Sequence, residues 1–222
     1  MGIDWGAGAG ILSIAATRVE AVTKVYGLEI VAANVEAARE NARLNGVADK
    51  TEFFHSDSFS PIDKRNEDTV AALKGDVQFV LANPPSSEGD DGFDFRRRIL
   101  RESRDFLVDG GVVFLSISYQ YGRRRIANLT DGPAGFTHGG VLATTDWVPF
   151  DLTRPDLLDC LRAYVREEQR SGLAYEFKLP GGGDEDLVTA QAAMAYYERT
   201  GQSPLSKWQT HSFTYQSAKT RR

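Results

Sequence analysis

The chain has 222 residues, 41% of them hydrophobic and 26% charged, which is the composition of a soluble globular protein with a sizeable core. Its net charge of −5 disfavours a broad electrostatic surface for nucleic acid, and its one cysteine excludes an intrachain disulfide and a cysteine zinc site. No apolar run is long enough to span a membrane and no signal-peptide pattern opens the chain, so we expect a cytoplasmic protein without membrane contact.

Strand-like and helix-like segments alternate from the start of the chain. The sequence predicts a short first strand ending near Asp4 and a helix from Gly10 to Val22. A second strand is expected over Lys24–Ile30, followed by the amphipathic helix "ANVEAARENARLNG", which Gly46 closes. This order of elements is typical of a βαβ unit.

The alternation continues through the next segments. Thr51–Asp57 is predicted to be a third strand, and one helix is expected between Pro61 and Gly75. "DVQFVLANPP" is a fourth strand ended by two prolines, and "FDFRRRILRESRDFLV" is a helix. Asp109-Gly110-Gly111 is expected to turn into a fifth strand, "VVFLSIS". The pattern predicts an α/β fold with a doubly wound, mostly parallel sheet.

The regular alternation of strand-like and helix-like segments ends near residue 130. Residues 1–130 are predicted to form the ligand-binding core, and residues 131–222 to complete a seven-stranded sheet and add C-terminal elements that form either the substrate side or a cap. "RPDLLDCLRAYVREEQRSG" and "DLVTAQAAMAYYERTG" are expected to be helices, and "THGGVLATTDWV", "LAYEFKL" and "WQTHSFTYQ" to be strands. The arginine runs Arg96–Arg98 and Arg123–Arg125 are typical of solvated helix faces.

The opening segment "IDWGAGAG" predicts a nucleotide loop after the first strand. Gly6, Gly8 and Gly10 have the spacing G-x-G-x-G, whereas the dinucleotide fingerprint requires a glycine where this chain has Ile11. A carboxylate at Asp4 repels a pyrophosphate but suits the ammonium and sulfonium groups of S-adenosyl-L-methionine. We therefore predict that this loop binds S-adenosyl-L-methionine.

Acidic and polar residues follow at the ends of the next two strands. Glu29 is placed to bind a ribose diol, and Asp57-Ser58 is placed to contact adenine. Because the carboxyl ends of parallel strands meet at one edge of a sheet, these residues are expected to lie near Asp4. No spacing of histidines or carboxylates indicates a metal site.

These segments resemble the class I S-adenosylmethionine-dependent methyltransferases over about residues 2–125. "IDWGAGAGILSIAA" resembles their first motif, and "YGLEIVAANVEAARENARLNG" resembles their second strand and helix. Asn83-Pro84-Pro85 resembles the motif that ends the fourth strand in amino-methylating members. With "EGDDGFDFRRRIL" and "GGVVFLSISYQYG", the chain is most similar to the release-factor glutamine methyltransferases of the HemK type. The resemblance implies a Rossmann-like fold and an S-adenosyl-L-methionine site formed by Asp4, Gly6, Gly8, Gly10, Glu29, Asp57, Ser58 and Asn83.

Asn83 and Pro84 are the predicted catalytic residues. The nitrogen of an amide or an exocyclic amine is a poor nucleophile, because its lone pair is delocalised. The Asn83 side-chain oxygen and the Pro84 carbonyl can accept hydrogen bonds from such an NH₂ group and orient it for in-line attack on the methyl group. The proton can leave after transfer, so a strong general base is not required.

The methyl acceptor stays open at this point. A protein side-chain amide of the glutamine type is favoured, a nucleic-acid base amine and a small molecule are alternatives, and a non-catalytic methyltransferase-like subunit is a further one. Ser86 stands where the family usually has an aromatic ring that packs on the target group, so Phe93, Phe95 or Tyr119 is needed to supply one. Met1 falls inside the first strand, where the family generally has more chain, so either the start of the sequence is placed too late or the chain is a truncated form.

Overall fold

A computed structural model describes residues 1–87, 91–133 and 135–217 of the chain. The strands are β1 (Gly2–Trp5), β2 (Val25–Glu29), β3 (Thr51–Asp57), β4 (Ser60–Pro61), β5 (Val77–Ala82), β6 (Leu107–Ser118), β7 (Phe136–Thr144), β8 (Val148–Pro149), β9 (Phe177–Lys178), β10 (Leu187–Val188), β11 (Leu205–Ser206) and β12 (Trp208–Tyr215). The helices are α1 (Ile11–Ala16), α2 (Ala32–Leu44), α3 (Glu67–Ala71), α4 (Asp94–Ser103), α5 (Arg123–Thr130), α6 (Pro155–Ser171) and α7 (Ala190–Thr200).

The larger sheet has the strand order β4-β3-β2-β1-β5-β6-β12-β7. β1 pairs in parallel with both β2 and β5, and β3 and β6 continue the parallel pairing on either side. The predicted doubly wound α/β fold is thereby confirmed. The two-residue strand β4, which pairs antiparallel with β3, is an addition to the seven predicted strands. β1 lies at the point where the strand order reverses, which is where such sheets bind ligands.

Some element boundaries differ from the predicted ones. Helix α1 ends at Ala16 rather than at Val22. Asp109-Gly110-Gly111 was predicted to be a turn, and this is wrong, because these residues lie inside β6. The register of β6 against β5 shifts there, and Gly110 has a φ of +78°, so the extra residues form an irregularity within the strand. "LAYEFKL" contributes only Phe177–Lys178 to a strand.

Helix α2 packs on the side of the sheet that carries the glycine loop. Val35, Ala38 and Ala42 form its buried stripe and cluster with Phe53 of β3. Gly27 of β2 makes this packing possible, because a Cβ there would lie 2.3 Å from the Phe53 ring. Burial of this apolar stripe fixes the loop between β1 and α1 against a rigid support.

Two compact units divide the chain. The first comprises Met1–Ser116, Gly132–Gly140 and the chain from His211, and contains most of the larger sheet. The second comprises Ile117–Asp131 and Val141–Thr210, and contains the small sheet β10-β9-β11-β8 with α5, α6 and α7. Within the described ranges, no helix combines the length and the apolar character that a membrane span requires. The domain boundary at residue 130 stays a prediction.

Candidate functional site

A cavity of about 370 Å³ opens at the carboxyl ends of β1, β2, β3 and β5 in the first unit. A volume of this size is typical of small-molecule sites. Its lining residues come from four strand ends and from α4: Trp5, Gly6, Leu28, Glu29, Ile30, Ser56, Asp57, Ser58, Asn83, Pro84, Pro85, Phe95 and Arg98. The cavity therefore brings together the predicted residues Gly6, Glu29, Asp57, Ser58, Asn83 and Pro84.

The glycine loop joins β1 to α1 and lines this cavity at Gly6, whereas Gly8 and Gly10 are not among the described lining residues. Gly6, Gly8 and Gly10 have φ angles of +67°, +55° and +84°, a region that glycine enters without strain. A Cβ at Gly6 or Gly8 would meet open space, whereas a Cβ at Gly10 would approach the Phe53 ring to 3.0 Å. The G-x-G-x-G spacing thus follows from backbone conformation, and Gly10 additionally allows close packing.

Glu29 ends β2 and holds the glycine loop. Its side chain is buried, with Oε2 accepting from the Gly8 N–H at 2.8 Å and Oε1 accepting from the Val31 N–H at 2.8 Å. The amide of Asn34 reaches Oε1 at 3.4 Å. Each carboxylate oxygen has two lone pairs, so Oε2 can accept a further hydrogen bond. A carboxylate fixed in this way suits a ligand with hydroxyl donors.

Asp4 lies behind the loop rather than among the described residues that line the cavity. Its Oδ2 accepts from the Ser13 N–H at 2.9 Å and from the Ser13 hydroxyl at 2.7 Å, which anchors the first turn of α1. Burial raises the pKa of Asp4 to about 6, the Ser13 hydrogen bonds oppose that rise, and the neighbouring Glu29 adds to it. Oδ1 is buried and has no hydrogen-bond partner among the described residues. An unpaired acceptor of this kind fits a cationic donor.

Asp57 and Ser58 end β3 in different environments. Asp57 is exposed, and its carboxylate lies 3.4 Å from the Arg98 guanidinium of α4. Ser58 has a φ of +55°, and its hydroxyl accepts from Trp5 Nε1 and donates to Glu102 Oε2, both at 2.7 Å. The Ser58 hydroxyl is thus committed to the fold, whereas the Asp57 carboxylate faces the cavity.

Asn83-Pro84-Pro85 follows β5 and is held by a residue that the sequence interpretation missed. Arg96 is 1% exposed, and its guanidinium donates to the carbonyls of Pro84 at 3.1 Å and Pro85 at 3.2 Å. Asn83 itself is exposed and lines the cavity. The loop therefore presents the Asn83 side chain while its proline carbonyls are fixed from behind.

The prediction that Arg96 lies on a solvated helix face is wrong. A signal in the sequence could have located it, because Arg96 precedes Ile99, Leu100 and Ser103 by helical spacings and shares their buried stripe on α4. Arg97 pairs with Asp91, and Arg98 pairs with Asp57 and Glu102. The run is thus not an open basic patch.

The three aromatic rings considered for the target group lie in different places. Phe93 is fully buried, and Tyr119 packs edge-on against Trp147 in the second unit. Phe95 is half-buried, lines the cavity and lies 6.1 Å from the Trp5 ring. Of these rings, Phe95 is the one placed at the candidate site. The residues 88–90 of the "EGDDGFDF" segment lie outside the described residues.

Known proteins resemble this chain in sequence. A family model described as methyltransferase small domain matches residues 1–131. A ribosomal protein L11 methyltransferase of Bacillus velezensis is 32% identical over 147 residues, which are 66% of this chain and 40% of that protein. A protein of Methanocaldococcus jannaschii, provisionally named a protein N5-glutamine methyltransferase, is 30% identical over 151 residues, which are 60% of this chain and 69% of that protein. The chain spans less than half the length of the Bacillus relative.

Solved structures share the fold. The YcgJ protein of Bacillus subtilis is similar with a TM-score of 0.57 at 14% identity, covering 98% of this chain and 92% of that one. A protein of Pyrococcus horikoshii, provisionally named an RNA methyltransferase, is similar with a TM-score of 0.51 at 18% identity, covering 97% of this chain and 74% of that one. Likeness at this level of identity supports the architecture and leaves the substrate open.

Proposed function

The chain belongs to the methyltransferase small domain family, and on that premise we propose that it is an S-adenosyl-L-methionine-dependent N-methyltransferase acting on a protein side-chain amide of the glutamine type. One observation carries the proposal. Asn83 and Pro84 line the same cavity as Glu29 and Asp57, so an acceptor-orienting loop and two carboxylates suited to a nucleoside face one space. The provisional name of the Methanocaldococcus relative supports the choice of a glutamine amide.

The residues around the cavity fit S-adenosyl-L-methionine. Glu29 would accept from the ribose hydroxyls, and Asp57 would accept from the exocyclic amine of adenine. Asp4 does not line the cavity, so its buried Oδ1, which has no hydrogen-bond partner among the described residues, would attract the cationic end through its charge from behind the glycine loop. When bound, the cofactor supplies an electrophilic methyl group on a sulfonium.

The acceptor nitrogen is oriented by hydrogen-bond acceptors. The Asn83 side-chain oxygen takes one N–H of the substrate amide. The Pro84 carbonyl has a second lone pair beyond the one that Arg96 occupies and takes the other N–H. Fixing both N–H groups directs the nitrogen lone pair toward the methyl group, and the amide proton passes to water after transfer. Phe95 provides an apolar wall at this site.

The charge distribution favours a protein acceptor over a nucleic-acid base. Nucleic-acid binding draws on free lysine and arginine side chains that neutralise phosphates. In the run beside the cavity, Arg96 is buried, and Arg97 and Arg98 are paired with carboxylates. The net charge of −5 points the same way.

The test is transfer of a labelled methyl group. Purified protein is incubated with methyl-tritiated S-adenosyl-L-methionine and a cell lysate, and the products are treated separately with nuclease and with protease. We expect label that resists nuclease, and acid hydrolysis of that protein should release labelled methylamine, as an N-methylated amide does. The Asn83→Ala variant is the matched control. If nuclease removes the label, the acceptor is a nucleic-acid base amine and not a protein amide. Protein fractions that stay unlabelled overturn the proposal.

A further inference from the structure

Arg96 stands in a position that costs free energy. Its side chain is 1% exposed and lies in the first turn of α4, where the helix dipole disfavours a cation. A buried guanidinium is tolerated when its N–H groups are hydrogen-bonded. The backbone groups that accept its hydrogen bonds therefore explain why Arg96 is buried here.

Among the described residues, four backbone carbonyls accept hydrogen bonds from Arg96. Nη2 donates to Pro84 at 3.1 Å, Nη1 to Pro85 at 3.2 Å and to Gly92 at 3.4 Å, and Nε to Ser116 of β6 at 3.3 Å. The guanidinium is planar and rigid, so bonds from three of its nitrogens fix the accepting carbonyls relative to one another. Arg96 thus ties the loop after β5 to β6 and to the start of α4.

The Pro84 carbonyl is the acceptor that matters for the reaction. An sp² oxygen has two lone pairs in the plane of the carbonyl group. Since the Arg96 guanidinium occupies one of them, the orientation of the other is set. The ring of Pro84 fixes its φ, and the following Pro85 restricts its ψ to extended values of about +120° to +160°, a range within which the carbonyl can still change direction.

We propose that Arg96 is a positioning residue that sets the direction of the Pro84 carbonyl toward the methyl acceptor. This inference rests on the proposed function, because it assigns Arg96 a role in orienting the substrate amide. The carbonyls that accept from Arg96 among the described residues belong to Pro84, Pro85, Gly92 and Ser116, and none of these was predicted to bind the cofactor. Loss of Arg96 should therefore affect the rate of transfer and not the binding of S-adenosyl-L-methionine. A misplacement of about 1 Å at a reacting group can lower a rate about 100-fold.

The experiment compares Arg96→Gln, Arg96→Lys and the control Arg101→Gln. Arg101 lies on the same helix with its side chain 59% exposed. For Arg96→Gln we expect kcat to fall about 100-fold, with the KM for S-adenosyl-L-methionine and the Kd of S-adenosylhomocysteine within about threefold of wild type. Arg96→Lys should recover part of kcat, because its ammonium can still donate to Pro84 or Pro85. Arg101→Gln should match wild type.

A second measurement reads the loop without activity. Proline has no N–H, so amide hydrogen exchange in peptides covering residues 83–87 is read at Asn83, Ser86 and Ser87, which flank the two prolines. Exchange there should be faster in Arg96→Gln than in wild type, and unchanged in Arg101→Gln. Circular dichroism establishes whether each variant is folded. If Arg96→Gln does not fold, the kinetic and exchange measurements are made on Arg96→Lys instead.

The outcomes separate the inference from the proposed function. A folded Arg96 variant with wild-type kcat, or with unchanged loop exchange, overturns the role of Arg96. Equal loss of cofactor affinity and of kcat also overturns it, because that result indicates a general structural defect. If wild-type protein methylates no protein, the proposed function fails, and loop exchange alone then decides whether Arg96 holds the Pro84 segment.

Discussion

Arg96 and Arg125 belong to two similar arginine runs but serve different regions of the molecule. Both side chains are 1% exposed, and both donate to backbone carbonyls. In the second unit, Arg125 donates to Tyr121 at 2.9 Å, to Leu173 at 2.8 Å and to Ala174 at 2.7 Å. The same chemistry, a buried guanidinium that donates to carbonyls, thus occurs in both units.

The acceptors distinguish the two arginines. The acceptors of Arg96 include Pro84, which follows β5 and lines the candidate cavity. Those of Arg125 connect α5 to the segment before β9, and its guanidinium carbon lies 4.1 Å from the centre of the Tyr175 ring. Nε of Arg125 has no hydrogen-bond partner among the described residues, and the ring face partly compensates for this. A buried guanidinium that donates to carbonyls indicates a structural role in both units. The identity of the accepting residues decides whether that role bears on the candidate site.

Replacing Asn83 should produce the largest effect on the rate of methyl transfer. This effect should be confined to the first unit. Asn83→Ala removes an acceptor for the substrate N–H, and we expect the rate of methyl transfer to fall about 100- to 1000-fold. Affinity for S-adenosylhomocysteine, measured by calorimetry, should stay within about twofold. A wild-type rate in this variant would place the acceptor-orienting group elsewhere.

Arg125→Met should affect the second region without changing the reaction. Three carbonyls lose their donor, and we expect the free energy of unfolding to fall by about 3 kcal/mol. Urea titration measures the change, with the exposed Arg124→Met as the matched control, expected within about 0.5 kcal/mol of wild type. Transfer per folded molecule should be unchanged. A large loss of kcat in folded Arg125→Met would remove the distinction drawn between the two arginines.

The sequence sufficed for the fold and for most of the cavity. Strand ends of a parallel sheet meet at one edge, so Glu29, Asp57 and Asn83 could be placed together from their order alone. The glycine spacing reflects three left-handed residues in one loop, which is a local property of the backbone. Local patterns of this kind can be predicted before the tertiary structure is known.

What was missed depends on contacts distant in the sequence. Arg96 follows Pro84 by 12 residues, and Arg125 precedes Leu173 by 48. Composition favours exposure of arginine, and the compensating carbonyls become visible only once the chain is folded. The irregularity in β6 was missed for a similar reason, because Gly110 reads as a turn unless the neighbouring strand is known to continue past it.

Glu29 and Glu168 allow a second comparison of the two units, in which the quantity compared is affinity for S-adenosylhomocysteine. Both carboxylates accept from backbone N–H groups, Glu29 from Gly8 and Glu168 from Tyr175 and Ala190. Glu29→Ala should weaken S-adenosylhomocysteine binding by about 1–3 kcal/mol, or roughly 5- to 150-fold, because a charge-assisted hydrogen bond to the ribose is lost. Calorimetry on Glu168→Ala should show unchanged affinity and lower stability. Unchanged affinity in Glu29→Ala would mean that the ribose site is misplaced.

The smallest expected difference concerns two partly exposed ion pairs. Asp57 lies 3.4 Å from Arg98 at the cavity, and Glu176 lies 3.0 Å from Arg123 in the second unit. Pairs of this kind contribute about 0–1 kcal/mol to stability, so Asp57→Asn and Glu176→Gln should unfold at nearly the same urea concentration. Their effects on ligand affinity should differ, because Asp57→Asn replaces a charged acceptor for adenine with a neutral one and should weaken S-adenosylhomocysteine about three- to fivefold. Glu176→Gln should bind it as wild type does. Equal affinities in the two variants would show that Asp57 serves only to pair with Arg98, and that adenine is recognised by other groups at the end of β3.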